Sequence, residues 1–220
     1  MKKIAIYGAG GFGREVHSLI EDINKKQNTF SFIGYFDDSK EKGTVINNFP
    51  VLGSMRDLNS WNEPLDLVIA IADPRIKKSL IDKMKNPKIT FPVLIHPGVI
   101  SGDPQFNSTG EGTIICAGTI ITVNVEIGRH VILNLACTVG HDTKIGEFSS
   151  IMPGVTISGE VVIENSVFIG TGAKIINQLT IGENSTIGAG ALVTTSVPPN
   201  FLIVGTPSRM APKHLTESKS

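Results

Sequence analysis

The segment VGHDTKIGEFSSIMPGVTI, residues 139–157, carries an aliphatic side chain at every sixth position. The phase is unbroken from Ile115 through Ile121, Ile127, Leu133, Val139, Ile145, Ile151, Ile157, Ile163, Ile169, Ile175, Ile181 and Ile187 to Val193. A second beat falls four residues after each: Thr119, Val125, Val131, Cys137, Thr143, Ser149, Val155, Val161, Val167, Ala173, Leu179, Ser185 and Ala191. All of these except Leu179 are small or β-branched. At 40% hydrophobic composition, so long a run in one phase is not chance. A six-residue period fits neither a helix nor an ordinary strand; it fits a parallel β-helix whose short strands form the flat faces of a prism. Three hexads close one triangular coil, so residues 115–198 make between four and five coils, with Thr109-Gly110-Glu111-Gly112 as a degenerate unit ahead of them. Glycine recurs at the second place (Gly128, Gly140, Gly146, Gly170, Gly182, Gly188), where tight corners are expected to demand its φ values.

Working outward, the texture changes on both sides. Residues 3–7, 31–36, 66–72 and 89–95 read as strands, and residues 13–25 and 75–84 as helices, a β-α-β alternation that indicates a small parallel sheet. His96-Pro97-Gly98 marks the junction. The expected organisation is an α/β domain over residues 1–97, the β-helix over 98–197, and a C-terminal cap and tail over 198–220, with Pro198-Pro199 ending the repeat. The 220 residues carry no formal net charge, and no basic run exceeds two or three residues, which argues against a nucleic-acid surface. No apolar run approaches a membrane span, the N-terminus lacks a signal-peptide pattern, and the two cysteines make no disulfide framework, so a cytoplasmic protein is expected.

Gly8-Ala9-Gly10-Gly11-Phe12-Gly13 matches G-x-G-x-x-G between a strand and a helix, where backbone N–H groups can approach a phosphate. Asp37 and Asp38 end the second strand, a place from which carboxylates hold ribose hydroxyls. With about four strands the sheet is half of a dinucleotide fold, which suits a mononucleotide carrying a sugar; a purely structural glycine turn and NAD(P) binding remain the alternatives. Five histidines are candidates for proton transfer. His17 and His96 read as structural, His214 sits in the tail, and His130 occupies the fourth place of its hexad. His141, third in its hexad and followed by Asp142, faces outward. Cys137 falls on an inward, small-residue place of the repeat.

Taken together, these motifs resemble the hexapeptide-repeat sugar acetyltransferases, in particular the nucleotide 4-amino-sugar N-acetyltransferases and the so-called sialic acid O-acetyltransferases. The resemblance rests on the glycine loop, Asp37-Asp38, the strand end Ala70-Ile71-Ala72, the repeats, His141-Asp142, and residues 204–210 (VGTPSRM). It implies a half-Rossmann nucleotide-sugar-binding domain joined to an all-β left-handed parallel β-helix. It further implies a homotrimer with active sites at subunit interfaces and acetyl-CoA as co-substrate. No metal is expected, because a metal-binding β-helix needs several outward histidines across coils and only His130 and His141 are available. By position it places Gly10, Gly11, Phe12, Asp37, Asp38 and Ala72 at the substrate, although relatives often carry His or Ser at the place of Phe12 and Gly at that of Ala72. His141 becomes the general base and Asp142 its orienting carboxylate. Ser150, where many relatives have a second histidine, joins Thr171, Ala189 and Gly205 in holding acetyl-CoA, with Arg209 and Lys213 as partners for its phosphates. The expected reaction is direct N-acetylation, in a ternary complex, of a UDP- or dTDP-linked 4-amino-4,6-dideoxy sugar. Two alternatives are O-acetylation of a sugar of the sialic acid type, and a non-catalytic nucleotide-binding β-helix subunit.

Overall fold

The computed structural model describes residues 1–206 and 208–212; Pro207, Lys213 and His214 lie outside the described residues. The N-terminal sheet is built from β1 (Lys2–Tyr7), β2 (Phe30–Phe36), β3 (Val45–Ile46), β4 (Phe49–Gly53), β5 (Leu65–Ile69) and β6 (Ile89–Thr90), in the order β3-β4-β2-β1-β5-β6. All pairings are parallel except the β3–β4 hairpin. That hairpin turns through Asn47 and Asn48, at φ 47° and 69°, the two-residue geometry that matches strand twist. Helix α1 (Gly11–Gln27) follows β1, α2 (Met55–Asn59) is closed by a Ser54/Asp57 capping box, and α3 (Pro74–Lys83) starts on an Asp73 side-chain cap.

The segment expected as one strand over residues 89–95 is divided between two sheets. Ile89–Thr90 closes the N-terminal sheet, whereas Leu94–Ile95 is the first rung of the β-helix and pairs with Ile114–Ile115. Pro92, lacking an N–H, lies at the break. The ladder therefore begins upstream of residue 98 and leaves no slack between the two parts of the chain.

The three prism faces are sheets of eight, six and five strands. Face one runs Leu94–Ile95, Ile114–Ile115, Ile132–Leu133, Ser150–Ile151, Phe168–Ile169, Thr186–Ile187; face two carries Thr138–Val139 and face three Lys144–Ile145. The six-residue aliphatics and the second beat form one continuous buried core, in which Leu133, Ile151, Ile169 and Ile187 show no more than 1% of their surface. Although the sequence repeat stops at Pro198, the ladder does not. Phe201–Val204 adds another parallel rung to face one, and Arg209–Pro212 folds back antiparallel to cover it, the end cap a solenoid requires.

The second-place glycines are needed for a reason other than the expected one. Positive φ falls instead at the fourth place of each hexad, at every sixth residue from Gly112 to Gly190, and includes Asn124, His130, Ala136, Asp142, Phe148 and Glu160. Left-handed backbone costs an L-residue about 1–2 kcal/mol. A coil-to-coil hydrogen bond offsets it, as where Asp142 N donates to Val123 O at 3.0 Å and Glu160 N to His141 O at 2.8 Å. Gly140 has ordinary φ, but a Cβ there would sit 2.5 Å from Gly159 N of the next coil. The second-place glycines permit stacking; the fourth-place residues turn the corner.

The two domains share a core. Outward-facing Leu94, Ile114 and Ile132 of face one pack with Val16, Leu19 and Ile20 of α1.

Candidate active site

The corner between faces two and three brings His141 and Asp142 together. Neighbouring side chains on a strand point to opposite sides, but Asp142 sits at φ +56°, which swings its carboxylate back toward the imidazole. His141 Nδ1 lies 2.8 Å from Asp142 Oδ2. Because an ionised carboxylate only accepts, the proton of the neutral ring belongs on Nδ1, leaving Nε2 with its lone pair. The other oxygen, Asp142 Oδ1, accepts from Asn124 Nδ2 at 2.9 Å. The bond from Asn124, and after it that from His141, holds the Asp142 carboxyl below its usual range. The ring lies across the next coil, where a Cβ on Gly159 would come within 2.5 Å of Nε2. With 56% of the His141 side chain exposed, this histidine is open to a reactant. Asn124 was not singled out by sequence reasoning, although its distance of 18 residues from Asp142 is one coil.

Thr171, Ala189 and Gly205 are also brought together, along the corner between faces one and two. Gly190 N donates to Thr171 O at 2.9 Å, Thr206 Oγ1 donates to Gly190 O at 3.0 Å, and the three residues are exposed. This strip of small side chains and His141 occupy opposite edges of face two. Arg209 is exposed on the terminal hairpin, and its expected companion Lys213 lies outside the described residues.

Ser150 is not in that groove. It faces outward from face one, where α3 covers it completely, and its Oγ accepts from Lys77 Nζ at 3.0 Å. The periodicity marks Ser150 as outward-facing but cannot show that a second domain packs over that face. A role beside the thioester is corrected on that ground. Neither cysteine is a nucleophile: both are buried, and burial pushes the Cys116 thiol up to about 12 and that of Cys137 to about 11.

In the N-terminal domain the glycine loop leads from β1 into α1. A Cβ on Gly13 would collide with Gly8 O, so glycine there lets α1 pack on β1, while Gly10 and Gly11 face open space and Gly10 caps the helix. Phe12 is half-buried against the core around α1, and Ala72 lies in the loop before α3. Sequential strands depart on opposite sides of β1, so the crevice lies between its end and that of β5, where a Cβ on Gly8 would stand 3.0 Å from Ala70 O.

The acidic pair is engaged internally. Asp37 Oδ2 accepts from Ala9 N at 2.8 Å and Oδ1 from Ser39 N and Oγ; burial alone would raise its carboxyl, but these bonds hold it below the usual range. Asp38 accepts from Tyr7 Oη at 2.6 Å and Met55 N at 2.8 Å. Both carboxylates thus brace the loops around the crevice. An open cleft of about 770 Å³ runs from Asp38 along α3, past Asp73, Arg75, Ser79 and Lys83. A smaller cavity continues it from Asp73 and Arg75 to Phe168 and Thr186 on face one. Arg75 is a cation at this crevice that sequence reasoning placed only on a helix; its position directly after the Asp73-Pro74 cap was the available signal. Among the described residues no cluster of potential metal ligands occurs, and no helix is long and apolar enough to cross a membrane.

Residues 3–84 match the PglD N-terminal domain model, and residues 160–195 match the bacterial transferase hexapeptide (six repeats) model. The chain is 31% identical to GDP-perosamine N-acetyltransferase of Escherichia coli O157:H7, over 79% of its own length and 77% of that protein. It superposes on the acetyltransferase domain of PglB from Neisseria gonorrhoeae, solved in complex with acetyl coenzyme A, with a TM-score of 0.83, 32% identity, and coverage of 96% of this chain and 99% of that one. It superposes equally on PerB from Caulobacter crescentus in complex with CoA and GDP-perosamine, with a TM-score of 0.83, 27% identity, and coverage of 96% and 98%. The prism, the half-Rossmann domain and these matches make the chain a member of the acetyl-CoA-dependent nucleotide-amino-sugar N-acetyltransferases of the hexapeptide type.

Proposed function

We propose that this enzyme acetylates the 4-amino group of a nucleotide-linked 4-amino-4,6-dideoxy sugar, with His141 as general base and direct transfer in a ternary complex. The observation that carries the reading is the His141–Asp142 contact, which leaves Nε2 unprotonated on an exposed corner. In the reaction the acceptor nitrogen bonds to the acetyl carbonyl carbon as the C–S bond breaks. Nε2 removes the proton from the nitrogen and returns it to the departing sulfur, while Asp142 stabilises the imidazolium between the two transfers. Backbone N–H groups hold the carbonyl oxygen as it gains charge.

Acetyl-CoA is assigned to the strip formed by Thr171, Ala189 and Gly205, and the nucleotide to the crevice at Gly10, Gly11, Phe12 and Ala72. Since the strip and His141 lie on opposite edges of one face, the groove is read as shared between copies in a homotrimer. UDP and dTDP are the nucleotides that the family resemblance implies, and the GDP-perosamine of the relatives supplies a third.

The test is CoA release from acetyl-CoA with UDP-, dTDP- and GDP-linked 4-amino sugars and with free sialic acid. Turnover is expected with one nucleotide-linked amine and lost in His141→Ala, which retains its oligomeric state. Full activity in His141→Ala overturns the mechanism, and turnover of sialic acid alone overturns the acceptor.

A further inference from the structure

We infer that Asn124 is a positioning residue for acetyl transfer, pinning Asp142 so that its carboxylate stays on His141. This rests on the reading of His141 as general base.

The Asp142 side chain is 50% exposed, and a surface carboxylate rotates freely unless it is held. Among the described residues it has two side-chain partners, one for each oxygen: His141 Nδ1 at 2.8 Å and Asn124 Nδ2 at 2.9 Å. Asn124 and Asp142 occupy the same fourth place one coil apart, at φ 57° and 56°, so their side chains leave the corner in parallel. Asn124 is set by the ladder itself, because Asp142 N donates to Val123 O beside it. To turn away from the imidazole, the carboxylate must break a second bond to a residue fixed by backbone.

The chemistry of the anchor matters as much as its place. An amide orients the carboxylate without bringing positive charge, so the full negative charge remains available to the imidazolium. A lysine or arginine would orient it too, but would compete for that charge. Other carboxylates of this prism do pair with cations, as Glu147 does with Arg129 and Glu126 with Lys144. Along the catalytic corner the partners are amides: above Asp142, Glu160 Oε2 accepts from Gln178 Nε2 at 3.1 Å. The edge carrying His141 therefore keeps two carboxylates on successive coils, each held by a neutral donor.

The test uses Asn124→Ala and Asn124→Gly in the full chain, the second because glycine keeps the left-handed corner without strain. Both are expected to lower kcat by about tenfold with the KM for acetyl-CoA unchanged. The acid limb of the pH–rate profile and the His141 ring titration followed by NMR should both move to lower pH. In an Asp142→Ala background the same substitutions should have no further effect, because Asn124 acts through Asp142. The inference is overturned if the His141 titration is identical with and without Asn124, or if the loss persists when Asp142 is absent. Should His141→Ala retain activity, the general-base reading fails, whereas the His141 titration still judges Asn124.

Discussion

Lys77 Nζ donates to Ser150 Oγ at 3.0 Å, crossing from α3 of the N-terminal domain to face one of the prism, with 1% of the lysine exposed. Among the described residues, Ser149 O at 3.5 Å is the only further acceptor within reach. Burial pulls the Lys77 ammonium down to about 7, with Asp73 opposing the shift. The folded value lies below the unfolded 10.5, so the unfolded chain takes the proton first as pH falls. Stability at this site therefore declines from pH 10.5 to about 7 and is level below that. Lys77→Met should gain about 1–3 kcal/mol near neutral pH, with the gain shrinking toward pH 10. Urea unfolding of both proteins at the two pH values decides it: a variant less stable throughout means that the ammonium is well satisfied.

A second buried base lies on the same side. His130 is 2% exposed between Phe91 and Phe148, its Nδ1 has no partner among the described residues, and burial, aided by Lys77 and Arg129, pushes it down to about 4. The unfolded ring protonates near 6.5, so the fold should lose roughly 3 kcal/mol as pH falls from 6.5 to 4. His130→Phe should flatten that limb whatever its effect at neutral pH. Stability curves of equal slope for the two proteins between pH 6.5 and 4 would show that His130 is not the group responsible.

Gly159 offers a clean probe of the imidazole. Its φ is ordinary, so alanine adds no backbone strain, but the new Cβ would lie 2.5 Å from His141 Nε2. Gly159→Ala should cut kcat by about 10–100-fold with little change in melting temperature. Gly140→Ala gives the contrast: there the Cβ meets backbone of the next coil, and stability should fall first. Wild-type turnover in Gly159→Ala would show that the ring does not react from this position.

These contrasts also show what could be read in the chain beforehand. The in–out alternation of the prism was visible because each inward residue stacks on the one 18 residues away, so a single period describes the core. What the period could not supply was which outward face another domain covers, and Ser150 was misplaced for that reason. Second-place glycines were found where expected, but the demand on them comes from the next coil and not from their own φ. The Asn47-Asn48 hairpin was missed because its strands are only two and five residues long. His141 and Asp142 stood out as a pair. Asn124, a whole coil away in sequence, becomes its neighbour only once the chain is wound.

A substitution at Asp37 tests whether the proposed nucleotide site is distinct from the proposed acetyl-CoA site. The Asp37 carboxylate ties the glycine loop at Ala9 N to the end of β2 and closes the turn at Ser39. Asp37→Ala should release the loop and raise the KM for the nucleotide sugar about tenfold, leaving the KM for acetyl-CoA unchanged. Ser39→Ala removes one hydroxyl but keeps the bond to Ala9, so its effect should be small. Asp37→Asn retains an acceptor without the charge and should fall between them, since hydrogen bonds to charged groups are worth about twice neutral ones. If Asp37→Ala leaves the acceptor KM where it was, the glycine loop is not the seat of the nucleotide; a rise in both KM values would mean that the loop supports the prism groove as well.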